Sequence, residues 1–389
     1  MVSTVPVDFP DGALEASVVD DLGRVEALLL EVGHPDDELL TTASRHLVKA
    51  GGKRFRAMLV LLAAQFGDPA DERVIQAAVA IELTHLATLF HDDVMDEAFV
   101  RRGSESVNAR WGNSVAILAG DFLFAQASLI LASLGPDAVR IQAETFNRLV
   151  TGQLAETVGP RPGQDPLDHY MYVISEKTGS LIATAGLFGA MYSGANAAAA
   201  ARIARACELI GVAWQLSDDV IDVASDSAQS GKTPGTDLRQ GVPTLPVLYA
   251  LRSADPADAR LRLLLDGSVD LADDDDLVAE ALRLLRAHQG MAEARADVLS
   301  WVNAARTEIM ALPDVPARAA FLAMCDFVVK RTGLGRGAPA ASRSPVSAPR
   351  RVSLRSAPAA SRSGRVSLPP RLAPAGSPHL ASPYISGYV

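Results

Sequence analysis

Residues 75–96 read IQAAVAIELTHLATLFHDDVMD, and residues 203–222 read IARACELIGVAWQLSDDVID. Each is an apolar run of helical period that closes on Asp-Asp-x-x-Asp: Asp92, Asp93 and Asp96 in the first, Asp218, Asp219 and Asp222 in the second. Positions i and i+4 share a helix face, so Asp92 stands over Asp96 and Asp218 over Asp222. Like charges so placed repel, and apolar surroundings raise the cost unless cations compensate. Two copies at one spacing therefore point to divalent cations. Magnesium is the simplest, because it takes oxygen ligands and leaves room for water and phosphate oxygens.

Outward from these runs, most of residues 13–330 reads as helices punctuated by Gly and Pro, among them 36–49, 53–67, 72–97, 113–134, 137–158, 166–192, 199–224, 290–311 and 315–331. Alternating strand-like runs are almost absent. Segments such as Ile75–Phe90 and Leu181–Met191 are apolar nearly all round and belong inside a bundle. The fold expected is all-α, one large single-domain helical bundle with a central cavity over residues 1–335. The run 115–134 is the most apolar, but it carries Asp121 and Gln126 and reads as a buried helix, not a membrane span. Residues 336–389 hold eight Arg, nine Pro and eleven Ser with no Lys, Asp or Glu, a composition expected of a disordered tail.

The chain of 389 residues is 49% apolar, 21% charged and 5% aromatic, with a net charge of −10. Without the tail the balance is more acidic, which excludes non-specific nucleic-acid binding as the main task. Two cysteines, Cys207 and Cys325, make neither a disulfide framework nor a zinc cluster. With no basic start and apolar run at the N-terminus, the expected location is cytoplasmic.

Positive charge alternates with the acidic runs. Gly51-Gly52-Lys53-Arg54-Phe55-Arg56 opens a helix, where amide groups and cations favour an anion, although the spacing is not that of a P-loop. Arg101-Arg102-Gly103 follows the first acidic run, and Lys177-Thr178 and Gly231-Lys232 add two further cations. Acidic pairs and basic groups alternating on one apolar bundle suggest metal-bridged diphosphate binding.

In order, Gly51-Gly52-Lys53-Arg54-x-Arg56, Asp92-Asp93-x-x-Asp96, Arg101-Arg102-Gly103, Gly120-Asp121, Gly152-Gln153, Lys177-Thr178, Gln215-Leu216-x-Asp218-Asp219-x-x-Asp222, Gly231-Lys232-x-x-Gly235-x-Asp237-Leu238 and Thr244-Leu245-Pro246 resemble the trans-isoprenyl (polyprenyl) diphosphate synthase family, long-chain type, over roughly residues 15–335. The resemblance implies a homodimeric prenyltransferase of isoprenoid biosynthesis. It would condense isopentenyl diphosphate head-to-tail onto an allylic diphosphate, with three Mg2+ per active site. Asp92 and Asp96, with Asp93 in support, would hold two of them; Asp218 would hold the third, with Asp219 and Asp222 in its shell. Arg101, Lys177, Thr178, Gln215 and Lys232 would contact the allylic diphosphate, and Lys53, Arg56, His85 and Arg102 the isopentenyl diphosphate. The catalytic set so implied is Asp92, Asp93, Asp96, Asp218, Asp219, Lys177 and Lys232. No transmembrane segment is implied, only transient membrane contact for product release. Two positions depart from the pattern: Val242 stands where many relatives carry Lys, and Ala57 where Pro is frequent.

The growing chain would pass beneath Asp92. Thr88 and Ala87, four and five residues earlier, lie about 6–7.5 Å down the helix axis and are small, and Thr84 one turn deeper is modest. Small side chains here resemble makers of products of thirty carbons or more, as for quinone side chains. Phe124 and Phe146 are candidates for a deeper floor. The alternatives are a geranylgeranyl diphosphate synthase, a class I terpene cyclase and a non-catalytic partner subunit. The last two conflict with the retained Gly-Gly-Lys-Arg segment and with both acidic motifs being intact.

Overall fold

The computed structural model describes residues 7, 9–33, 36–224 and 235–333. They belong to the first of two units, Met1–Pro349; Lys232, the second unit and the whole 336–389 tail lie outside the described residues. The elements run α1 (Gly12–Glu31), α2 (Glu38–Ser44), α3 (His46–Lys49), α4 (Phe55–Ala64), α5 (Glu72–Met95), β1 (Val100–Arg101), β2 (Ser104–Glu105), α6 (Val107–Trp111), α7 (Asn113–Leu134), α8 (Pro136–Val158) and α9 (Pro166–Ile174). A π turn (Ser175–Gly179) leads into α10 (Ser180–Tyr192), then α11 (Ala197–Ala224), α12 (Thr236–Arg239), α13 (Leu245–Leu251), α14 (Ala259–Leu265), α15 (Asp275–Ala287), α16 (Gln289–Met310) and α17 (Pro316–Arg331). The all-α bundle expected from the sequence is what forms.

The acidic helices sit at the centre of the packing. α5 lies along α7 and α4, α11 along α10 and α16, and α10 bridges the two groups by packing on α4, α5 and α11. The α10–α4 crossing depends on Gly189, where a Cβ would come within 2.1 Å of the Val60 carbonyl oxygen. Asp71 caps α5 by accepting from the Arg73 amide at 2.9 Å.

Several expectations are corrected. The 36–49 segment breaks at Arg45, whose guanidinium is pulled back to the carbonyls of Glu31 and Val32. The helix expected from 53 starts at Phe55, because Arg54 adopts a left-handed conformation at φ 43°. Arg102 and Gly103, with φ of 55° and 72°, form the turn of a short antiparallel hairpin, a geometry in which both central residues need positive φ. The segment 166–192 is not one continuous helix but is interrupted by the π turn.

α7 is not a buried helix. α5 and α7 are both long and apolar enough to cross a membrane by length and composition; the apolar window of α5 is 72% buried within the protein, that of α7 only 33%. Leu118, Ala125 and Leu129 follow one stripe of α7, and Val150, Leu154 and Val158 one stripe of α8, all open to solvent. Apolarity alone does not distinguish a core helix from one that meets a partner.

Candidate active site

Asp92, half-buried near the end of α5, and Asp96, exposed at its C-cap, are joined by the helical hydrogen bond from Asp96 N to Asp92 O, 2.8 Å. Burial raises the Asp92 pKa, Lys177 opposes that rise, and Asp96 adds to it. Asp93 points elsewhere. It is fully buried and accepts a 2.6 Å bond from Arg101 Nε, while its Oδ2 has no partner among the described residues. Asp93 therefore fixes the hairpin that carries Arg101 and Arg102.

The second motif repeats this arrangement. Asp218 is partly exposed, whereas Asp219 is buried and accepts from Tyr170 O–H, from Gln215 Nε2 at 3.2 Å and from the Leu245 amide at 3.3 Å. Burial pushes the Asp219 carboxyl up to about 7 against the pull of these donors. Gln215 thus serves Asp219 in this structure, and Thr244-Leu245-Pro246 contributes the helix-start amide that Asp219 receives. Asp222 accepts the Asp237 amide at 3.4 Å on its carboxylate and the Gly235 amide at 3.2 Å on its carbonyl, which anchors the start of α12.

Lys177 stands on the π turn. Such turns are rare and concentrate at functional sites because the extra residue re-aims side chains. The turn is held from both sides: Arg148 of α8 binds Glu176 (2.9 and 2.7 Å) and Glu208 of α11 (2.9 Å). Gly152 lets α8 approach, since a Cβ there would lie 2.7 Å from the Lys177 amide nitrogen. Lys177 Nζ pairs with Glu156, and Thr178 is half-buried beside it. Gly120 makes the matching approach of α7 to α5, where a Cβ would lie 2.4 Å from His91 Nε2.

A cationic cluster gathers around His85. Burial and then Arg56, Arg102, Arg54 and Arg101 hold the His85 pKa well below 6.5, so its imidazole is neutral. Arg102 donates to the carbonyls of Leu47 (2.9 Å) and Gly51, and burial together with the neighbouring Arg54 lowers its pKa to about 10. Burial likewise lowers Arg56, whose Nε has no acceptor among the described residues. Arg54 is spent on Glu26 (2.6 and 2.9 Å) and on the Val48 carbonyl, which makes it structural. Burial disfavours the charged forms of Arg56 and Arg102, and an anion bound beside them would oppose that penalty. Lys53 is exposed at the rim.

Asp92, Asp96 and Asp218 offer carboxylate oxygens, which suit a hard divalent cation. Among the described residues no three acidic, His or Cys side chains converge to hold a metal alone. A divalent cation held by these carboxylates would take its remaining ligands from water or diphosphate oxygens.

Below Asp92, Ala87 and Thr84 are fully buried and Thr88 is half-buried. Thr84 Oγ1 accepts from Gln142 Nε2 of α8 at 2.7 Å, a polar cross-link that sequence reading missed. Of the two floor candidates, the Phe124 ring lies 5.8 Å from the His91 ring and 4.5 Å from the Phe146 ring. Tyr170, Gln142, Arg148 and Arg331 carried no local signal, because their partners are far away in sequence. Cavities of about 510 and 460 Å³ lie among residues 238–293, away from both acidic motifs.

Comparison with known proteins agrees with this geometry. The family model described as polyprenyl synthetase matches residues 37–285. The nonaprenyl diphosphate synthase of Mycobacterium tuberculosis is 51% identical over 328 residues, which cover 84% of this chain and 97% of that protein. The crystal structure of geranylgeranyl pyrophosphate synthase from Corynebacterium glutamicum, complexed with calcium and isoprenyl diphosphate, superposes with a TM-score of 0.75 at 47% identity, covering 84% of this chain and 99% of that one. A decaprenyl diphosphate synthase from Rhodobacter capsulatus superposes with a TM-score of 0.74 at 30% identity, covering 82% and 98%. With one acidic motif at the end of α5, a second on α11 and a cationic cluster around His85, the chain belongs to the polyprenyl synthetase family and is a polyprenyl diphosphate synthase, a prenyltransferase.

Proposed function

We propose that the enzyme elongates an allylic diphosphate with isopentenyl diphosphate to an all-trans product of thirty carbons or more. The observation that carries the reading is the small, buried pair Ala87 and Thr84 with half-buried Thr88 directly beneath Asp92. The likeness to nonaprenyl and decaprenyl synthases supports it.

Asp92, Asp96 and Asp218 would hold Mg2+, three ions in all, at the allylic diphosphate. When bound, these ions supply charge stabilisation for the departing diphosphate. Lys177, Thr178, Arg101 and Lys232 would bind the same diphosphate and stabilise the charge that develops as the allylic C–O bond breaks. Arg56, Arg102, Lys53 and neutral His85 would orient isopentenyl diphosphate so that its double bond faces the allylic carbon. The new C–C bond forms, and a proton leaves to the released diphosphate. The apolar walls of α5, α7 and α10 exclude water, which would otherwise capture the carbocation as an alcohol.

The open stripes of α7 and α8 support a homodimer that covers them. A geranylgeranyl product is the second reading, favoured by the Thr84–Gln142 cross-link below Ala87. Incubation with Mg2+, farnesyl diphosphate and labelled isopentenyl diphosphate, followed by sizing of the dephosphorylated products, decides between the two. Products of thirty carbons or more uphold the first reading, and a stop at twenty upholds the second. No elongation by folded protein overturns both.

A further inference from the structure

Arg331, the last residue of α17, reaches across to the second acidic motif. One terminal nitrogen donates to Asp218 Oδ1, and the other lies 3.2 Å from Ser217 Oγ. Its guanidinium carbon stands 4.4 Å from the Trp214 ring centroid and 5.7 Å from that of Phe327. Trp214 stacks on Phe327 at 5.8 Å and meets the Phe55 ring at a 38° tilt, 4.7 Å between centroids, and Phe55 lies between Arg54 and Arg56 of the basic segment. Arg331 is not on a loose end. The chain just after it is tied back by Arg295 Nε to the Thr332 carbonyl at 3.0 Å and by Thr332 Oγ1 to Val329 O at 2.7 Å.

We propose that Arg331 is a positioning residue that acts as a built-in counter-cation for Asp218. It holds the carboxylate in place before substrate arrives and gives it up to the divalent cation that accompanies diphosphate. This rests on the reading of Asp218 as a metal ligand. A guanidinium stacked on an indole keeps much of its stabilisation when its carboxylate is withdrawn, so Arg331 has somewhere to stay. A monovalent and a divalent cation cannot both take full advantage of one carboxylate at contact distance, because they repel. Trp214 therefore senses the exchange, and through Phe55 the same stack touches the basic segment expected to bind isopentenyl diphosphate.

The test uses full-length protein without turnover, with Mg2+ and inorganic diphosphate as the probe. In a Trp111→Phe, Trp301→Phe background, Trp214 emission is expected to change when the two are added together, and much less with either alone. Arg331→Met is expected to abolish most of that change and to tighten Mg2+–diphosphate binding, read by calorimetry, by at least about threefold, since the competitor for Asp218 is gone. Arg331→Lys keeps the charge but loses the planar stack, and is expected to bind like the parent with a smaller emission change. Circular dichroism and thermal melting verify folding; if Arg331→Met does not fold, Arg331→Lys and the parent Trp214 signal decide. Unchanged or weaker binding in folded Arg331→Met, or a Trp214 signal indifferent to the probe, overturns the proposal. Asp218→Asn separates the two levels: undiminished Mg2+–diphosphate binding in that variant overturns the ligand reading itself.

Discussion

Asp93 and Asp219 occupy the same place in their motifs, and both are buried and spent on protein partners, leaving Asp92, Asp96 and Asp218 the more accessible. Replacing Asp92 or Asp218 with Ala should lower turnover by at least about 100-fold with the far-UV dichroism unchanged; near-full activity in either variant would remove that carboxylate from the cation site. Asp219 has a thermodynamic signature. Its pKa rises from 3.8 to about 7 on folding, so the folded protein binds this proton more tightly than the unfolded chain. That contribution is fully present below pH 3.8 and is lost as pH rises through 7. Asp92 and Asp93, also raised, act with the same sign. In chelator, the melting temperature should therefore fall between pH 5 and about 8, and Asp219→Asn should flatten part of that slope; an unchanged slope would contradict the assignment. The residue types and spacing of both motifs were legible in the sequence. Which aspartate of the second motif turns inward was not, because the deciding partners, Tyr170 for Asp219 and Arg331 for Asp218, lie 49 and 113 residues away.

At the scale of elements, the π turn decides where Lys177 points. Gly152→Ala would drive a methyl group against the Lys177 amide, so it should cost activity more than stability, with turnover reduced and the melting temperature only modestly lower. Gly189→Ala, where α10 crosses α4, should do the reverse and destabilise by about 1–3 kcal/mol through overpacking; a denaturant titration measures it. Helices α5, α7, α8 and α11 were readable almost to their ends, since long periodic segments carry strong signals. The π turn was invisible because apolar residues flank it at helical spacing, Val173 and Ile174 before and Leu181 and Ile182 after, and nothing in Ser175–Gly179 marks the extra residue. The late start of α4 was invisible too, because Arg54 takes positive φ only with Glu26 and the Val48 carbonyl to hold it.

For the molecule as a whole, the bundle and its acidic rim followed from composition and period, whereas the outer stripes of α7 and α8 did not. The run 115–134 is as apolar as a core helix, and only the structure shows that its face with Leu118 and Leu129 meets no other part of the described chain. Leu118→Glu combined with Leu154→Glu should convert the proposed dimer to monomers in sedimentation equilibrium while leaving the helical content intact. An unchanged mass would place the subunit contact elsewhere. If these stripes are covered only by a second copy, dilution becomes a chemical variable. At concentrations near the dissociation constant, α7 would lose the support that keeps Gly120 seated against His91 beside Asp92, and specific activity would decline as the enzyme is diluted. Rates measured on a few nanomolar protein would then understate the enzyme at working concentration, and added substrate, by favouring the assembled form, would restore them after a lag.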